Sequence, residues 1–164
     1  MTMKDKAMNS SLKTINGSED LQDVDDNRLR SLITFHAAFN QRNLQLMRDI
    51  WLNSDEASMN NPVGGIMRGW KNIEAVYNRI FNGGSEVFVE FYDFTMHSTE
   101  RMFLVTGRER GFFGTADIKI DLSIRTSRVF VREENGWKQL HHHGSIDDPA
   151  LLKSYQSSLV RNGE

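Results

Sequence analysis

The chain contains no cysteine. A disulfide framework, a thiolate nucleophile and a cysteine-based metal site are therefore all excluded, and the composition suits the cytoplasm. An excess of charge of one sign is missing too: 20 basic residues face 22 acidic ones, for a formal net charge of −2. That balance provides no field to attract nucleic acid or an anionic membrane. No apolar run is long enough to span a bilayer. The first residues, MTMKDKAMNSSLKTING, carry lysines but no apolar segment, which argues against a signal peptide. Internal repeats and low-complexity segments are also absent. What remains is 164 residues, 38% of them hydrophobic, which is enough for the core of one domain.

The periodicity of the chain divides it into parts. Residues 1–22 are rich in Lys, Ser, Asn, Asp and Gly without a repeat, and read as a mobile tail. Asp25 or Asp26 caps a first helix whose stripe is Leu29, Leu32, Ile33, His36 and Phe39 or Asn40, widened by Phe35. His36 reads as a packing residue with one hydrogen bond. Asn43 caps a short second helix carrying Leu44, Met47, Ile50 and Trp51. Residues 53–69 hold Pro62 and a Gly-Gly pair, and predict a short strand, a turn and another short strand. Ile73, Val76, Tyr77, Ile80 and Phe81 form one face of a third helix, stopped by Asn82-Gly83-Gly84.

After Gly84 the period changes from helical to alternating. A strand from Glu86 places Phe88, Tyr92 and Phe94 on one parity. Its return places Leu104, Thr106 and Arg108 on one face, with a loop expected between Gly111 and Gly114. In the next strand Ile118, Ile120, Leu122 and Ile124 point one way, which marks a half-buried strand of an antiparallel sheet. The same parity carries Thr126, Arg128 and Phe130 inward unless a bulge intervenes. Glu134-Asn135-Gly136 turns the chain into a last strand ending at Ser145. Asp148 then caps a helix with Pro149 at its first position and Leu151, Leu152, Tyr155 and Leu159 on its apolar side.

Arg128 is the sharpest candidate. A guanidinium on an inward face must be paired inside, by an acid such as Asp93 or Glu90, or must meet the anion of a ligand. His141, His142 and His143 invite a metal reading, but successive strand residues face opposite ways, so only His141 and His143 share a face. A third ligand would have to come from His97 or His36, and no HExxH pattern supports one. No metal and no cofactor is expected.

The order of elements, ending in RVFVREENGWKQLHHHGS, resembles the NTF2-like superfamily, also known as SnoaL-like or cystatin-like cones, over roughly residues 25–147. It looks most similar to the association domain of calcium/calmodulin-dependent protein kinase II. The residues that carry this are Arg128-Val129-Phe130, Arg132-Glu133-Glu134, Trp137 and His141 to Ser145, with Gly69 and Phe81 bounding the third helix. The resemblance implies an α+β cone, a curved antiparallel sheet wrapped around helices with a pocket between them. It also implies homo-oligomers built through the sheet, and pocket arginines that meet small carboxylates. Two such arginines fall on Arg108 and Arg128; a third is replaced by Gly144, and a pocket histidine by Ile73. Parity with Gly144 makes His142 the pocket histidine, and a bulge would exchange it for His143. Ketosteroid-isomerase-like members use a carboxylate base, but no position here matches it, and Tyr92 and Asp93 are neighbours on a strand.

These readings give a tail over 1–22, an NTF2-like domain over 23–150 and a C-terminal helix and tail over 151–164. The expected function is binding of a small organic molecule, a carboxylate, at Arg128, Arg108, His142 and His143. One alternative is a cofactor-free isomerase, dehydratase or hydrolase using His142 or His143 as base. Another is an oligomerisation module with a vestigial cavity. A homodimer is expected through the outer sheet face at Val129 and Val131, joined by Leu140 or Gln139 according to register.

Overall fold

Three caps read from the sequence start three helices. In the computed structural model, which describes residues 12–161, Asp26 accepts the Arg28 N–H at the start of α1 (Asn27–Asn40). Asn43 accepts the Leu46 N–H ahead of α2 (Leu44–Ile50). Asp148 accepts from Ala150 and Leu151 at the start of α4 (Pro149–Arg161). Each side-chain oxygen satisfies a backbone donor that the helix leaves open. Between α2 and α4 lie β2 (Ser58–Asn60), β3 (Ile66–Arg68), α3 (Trp70–Asn82), β4 (Glu86–Ser98), β5 (Met102–Gly114), β6 (Lys119–Glu133) and β7 (Gly136–Ser145). A short β1 (Thr14–Ile15) precedes α1.

The strands form one seven-stranded sheet in the order β1-β4-β5-β6-β7-β2-β3. All pairings are antiparallel except β2 with β7. The sheet curves around α1 and α3, as the resemblance implies. One core cluster joins those helices to Phe91, Phe103, Val105 and Phe130 of the sheet. A second joins Val89, Phe113, Leu122 and Ile124 to the apolar side of α4. Two register shifts bend the sheet, between Tyr92 and Thr95 on β4 and at Leu140 on β7, opposite Val129 and Phe130 of β6. Among the described residues no helix is long and apolar enough to cross a membrane.

Four expectations are corrected. The tail boundary moves toward the N-terminus: Thr14 and Ile15 pair with Tyr92 and Phe91, and Ile15 is fully buried. Gly17 follows at φ +89°, where a Cβ would sit 2.1 Å from the backbone N of Ala37, so the chain crosses α1 at a point only glycine allows. Residues 1–11 lie outside the described residues. No loop interrupts Gly111–Gly114; β5 runs through it, and the turn falls at Thr115–Ile118, closed by the Thr115 N–H on the Ile118 carbonyl. On β4 the inward residues are Val89 and Phe91, while Phe88 and Tyr92 lie outside against Phe112 and Arg110. The bulge then brings Phe94 back to stack on Phe91 at 5.1 Å. The C-terminal helix is part of the packed domain, with Tyr155 on Phe113 at 5.2 Å.

Candidate functional site

β6 sets the site. Its parity runs unbroken from Leu122 through Ile124 and Thr126 to Arg128, all buried. Arg128 is therefore carried into the core at 1% exposure. It meets an acid that the sequence reading did not identify. Its Nη2 donates to Glu109 Oε1 at 2.6 Å and its Nη1 donates to Gln139 Oε1 at 3.2 Å. The guanidinium lies 3.8 Å over the Phe35 ring. The two acids named from sequence are elsewhere: Asp93 pairs with Arg108 at 3.6 Å, and Glu90 pairs with Arg110.

Glu109 reaches the core because β5 alternates Phe103, Val105, Gly107 and Glu109 inward. A glycine and a glutamate in that series hide the inward face from a hydropathy reading. Its carboxylate also accepts from Thr126 Oγ1 at 2.7 Å and lies 3.3 Å from His36 Nε2. The other nitrogen of His36 faces the Leu32 carbonyl at 2.9 Å, so this fully buried ring has two polar neighbours where one was expected. Burial alone would raise the Glu109 pKa; the Arg128 charge and the His36 hydrogen bond outweigh it and hold the carboxyl well below its usual range.

His142 stands directly across from Arg128 in the β6–β7 register and also points inward. It is 8% exposed, and neither ring nitrogen has a hydrogen-bond partner. Arg128 Nε is likewise unpartnered. Burial, reinforced by the Arg128 charge, pushes the His142 pKa well below its ordinary value, so the imidazole is neutral. Burial also raises the Tyr77 hydroxyl, which stays protonated.

These groups form one end of a cavity of about 80 Å³. Its walls are apolar: Phe35 and Phe39 from α1, Val76, Tyr77 and Ile80 from α3, and Leu122 and Ile124 from β6. Met59 of β2, Asn61 and Pro62 from the β2–β3 turn, Val87 and Val89 of β4 and Tyr155 from α4 complete it. The turn is tied to α4 by Gln156 Nε2 donating to the Val63 carbonyl at 2.8 Å. Gly144, where the resemblance implied an arginine, is covered by Pro62; a Cβ there would lie 2.8 Å from the proline ring.

Of the four residues read as ligand-binding, Arg128 and His142 therefore lie at the cavity. Arg108 and His143 are corrected to the outer face of the sheet, where they border a separate hollow. The β7 irregularity lies before His141, so it does not exchange His142 for His143. Glu109, Gln139 and Tyr155 were missed. The signal for Glu109 was its parity with Phe103 and Val105. The signal for Tyr155 was its place on the apolar side of the last helix; Gln139 carried none. Among the described residues no three His, Asp or Glu groups are placed to hold a metal.

The model of the SnoaL-like domain matches residues 30–149. No curated protein sequence matches the chain. Among solved structures, one similar protein is a proposed calcium/calmodulin-dependent protein kinase type II association domain from Thiobacillus denitrificans, 20% identical, with 72% of this chain and 93% of that one covered and a TM-score of 0.61. A second is a proposed dehydratase of the NTF2-like family from Streptomyces avermitilis, 21% identical, covering 73% and 92%, with a TM-score of 0.65. A third is an uncharacterised protein with a cystatin-like fold from Caulobacter vibrioides, 17% identical, covering 83% and 96%, with a TM-score of 0.62. With a cone-shaped sheet around its helices and a family match over most of its length, the chain belongs to the SnoaL-like family and has the NTF2-like fold.

Proposed function

We propose that the chain binds a small, mostly apolar organic molecule in the cone, with one oxygen-bearing end against His142 and Arg128. The observation that carries this is His142: a buried imidazole whose two nitrogens meet no protein group at the wall of an apolar cavity. Such a ring costs stability unless something else bonds it. The polar end is better matched to a carbonyl or hydroxyl than to the carboxylate read from the sequence. Glu109 already neutralises Arg128, so a second buried anion would lack a cation. The cavity is smaller than the roughly 150 Å³ that holds a benzene ring, which favours short-chain ligands.

A thermal-shift screen of matched four- to six-carbon ketones, alcohols and acids tests the reading. At a hundredfold excess over Kd a true ligand adds about 2.7 kcal/mol, or about 5–10 °C for a domain of this size. Neutral members should stabilise more than their acids. Stabilisation by acids alone would restore the carboxylate reading, and stabilisation by none would remove the binding reading. The second reading is catalytic, and the neutral His142 favours it: such a ring can take the proton from the carbon beside a carbonyl while the Arg128 Nε–H steadies the oxygen. Deuterium incorporation into a bound ketone in heavy water, lost in His142→Leu, would support it.

We also propose a homodimer through the outer sheet face. Met102 is 43% exposed there, and its cross-strand partner Val131, with the Leu104–Val129 pair beside it, is only half buried. Gln139 is not part of this surface, because it is buried against Arg128. Sedimentation should give twice the chain mass of 18.9 kDa. Val129→Glu should return the monomer, and a monomeric wild type at micromolar concentration would refute the interface.

A further inference from the structure

Arg108 and His143, displaced from the cavity, come together on the other side of the sheet. There they border a hollow of about 380 Å³ on the outer face. Arg108 and Arg125 are direct cross-strand partners on β5 and β6, and both side chains are exposed. Like charges placed opposite one another destabilise a sheet. Only one of the pair is offset: Asp93 lies 3.6 Å from Arg108, in a contact open to solvent and weakened by it. The Arg125 side chain makes no ion pair or hydrogen bond among the described residues. The neighbouring Glu90 is already matched by Arg110 and is not free to offset Arg125. The hollow is thus locally cationic on a chain whose formal net charge is −2.

Neutral donors surround the two guanidinium groups. Thr95 and Thr106 hydroxyls meet at 3.1 Å on one side. Ser127 and Ser145 line the other, with His143 paired across from Ser127. Two cations beside several hydroxyls suit an oxyanion with more than one charge and more than two acceptor oxygens. A monocarboxylate can engage one guanidinium in fork geometry, whereas a phosphate group can engage both and still accept from hydroxyls.

We propose that this outer hollow is a second binding site, which takes the phosphate group of a small phosphorylated compound through Arg108 and Arg125. It is independent of the cavity, because His142 and Arg128 face the opposite side of the sheet. The site lies farther along β5 and β6 than the Met102–Val131 pair, and so falls outside the apolar part of the proposed dimer surface.

Calorimetric titration of the full chain with inorganic phosphate, phenyl phosphate and benzoate at low salt is the test. Both phosphates should bind and benzoate should not. Arg125→Ala should weaken phosphate at least about tenfold, equivalent to about 1.4 kcal/mol, and the Arg108→Ala, Arg125→Ala double variant should abolish it. His142→Leu should leave it unchanged. Absence of phosphate binding, equal binding of benzoate, or indifference to Arg125→Ala would each overturn the site. So would dissociation of a dimer by Arg125→Ala, since that would place an acidic side chain of a second copy in the hollow.

Discussion

Glu109→Ala is expected to unfold the protein at moderate temperature or to lower its Tm by about 10 °C or more. The substitution removes the carboxylate but leaves Arg128 at 1% exposure with only the Gln139 oxygen and the Phe35 ring to meet its charge. Breaking one side of a buried ion pair costs about 3–5 kcal/mol, and each kcal/mol moves the Tm of a domain this size by about 2–4 °C. Thr126 loses its acceptor as well, and His36 one of its two polar neighbours. Arg128→Met should be comparably damaging, because it strands Glu109 instead. The Glu109→Leu, Arg128→Met double variant should recover much of the loss, since a buried pair replaced by apolar groups is often neutral. A double variant no better than the singles would mean that the pair is not the source of the cost.

The pH dependence follows from the same groups. The folded pKa of Glu109 lies below its ordinary value of 4.5. Its contribution is therefore complete above 4.5 and is lost as the pH falls toward the folded value. His142 is also depressed, from 6.5. The unfolded chain then takes up a proton that the folded one refuses, so stability begins to fall as the pH drops below 6.5. Acid should thus act in two stages, His142 first and Glu109 second.

The fold was legible because its elements are locally consistent. Asp26, Asn43 and Asp148 cap where caps were read, and the alternation from Ile118 carried Arg128 to the inward face without interruption. What misled the reading on β4 was a bulge: Asp93 adopts φ +49° and shifts every later residue, a change with no proline or glycine to announce it. On β5 the difficulty was opposite. The strand is regular, but its inward series contains Gly107 and Glu109, so hydropathy favoured the wrong residues as chemistry-bearing. Gly107 is there because Phe91 and Phe94 crowd it, a Cβ meeting them at 2.7–2.8 Å. That crowding exists only after the bulge has formed. The partner of Arg128 thus depended on tertiary facts, although the need for a partner was visible in the sequence.

His142→Leu is expected to make the protein more stable and unable to bind its ligand. Leucine fills similar space in a wall that is already apolar, and it removes two buried nitrogens without partners. Leaving a buried polar group unsatisfied costs about 1–3 kcal/mol, so the Tm should rise by several degrees. The first stage of acid destabilisation, below pH 6.5, should disappear with the imidazole. Glu109 and Arg128 keep their bond, so the second stage should remain. Any ketone or alcohol that stabilises the wild type should lose its effect on the variant, because the oxygen would face a methyl group. A side chain kept at a cost to stability, whose removal abolishes ligand stabilisation, is what a binding or reacting group looks like. If His142→Leu instead lowers the Tm, the ring is a structural member of the core. If the variant still responds to the same ligands, the polar end of the site belongs to Arg128 alone.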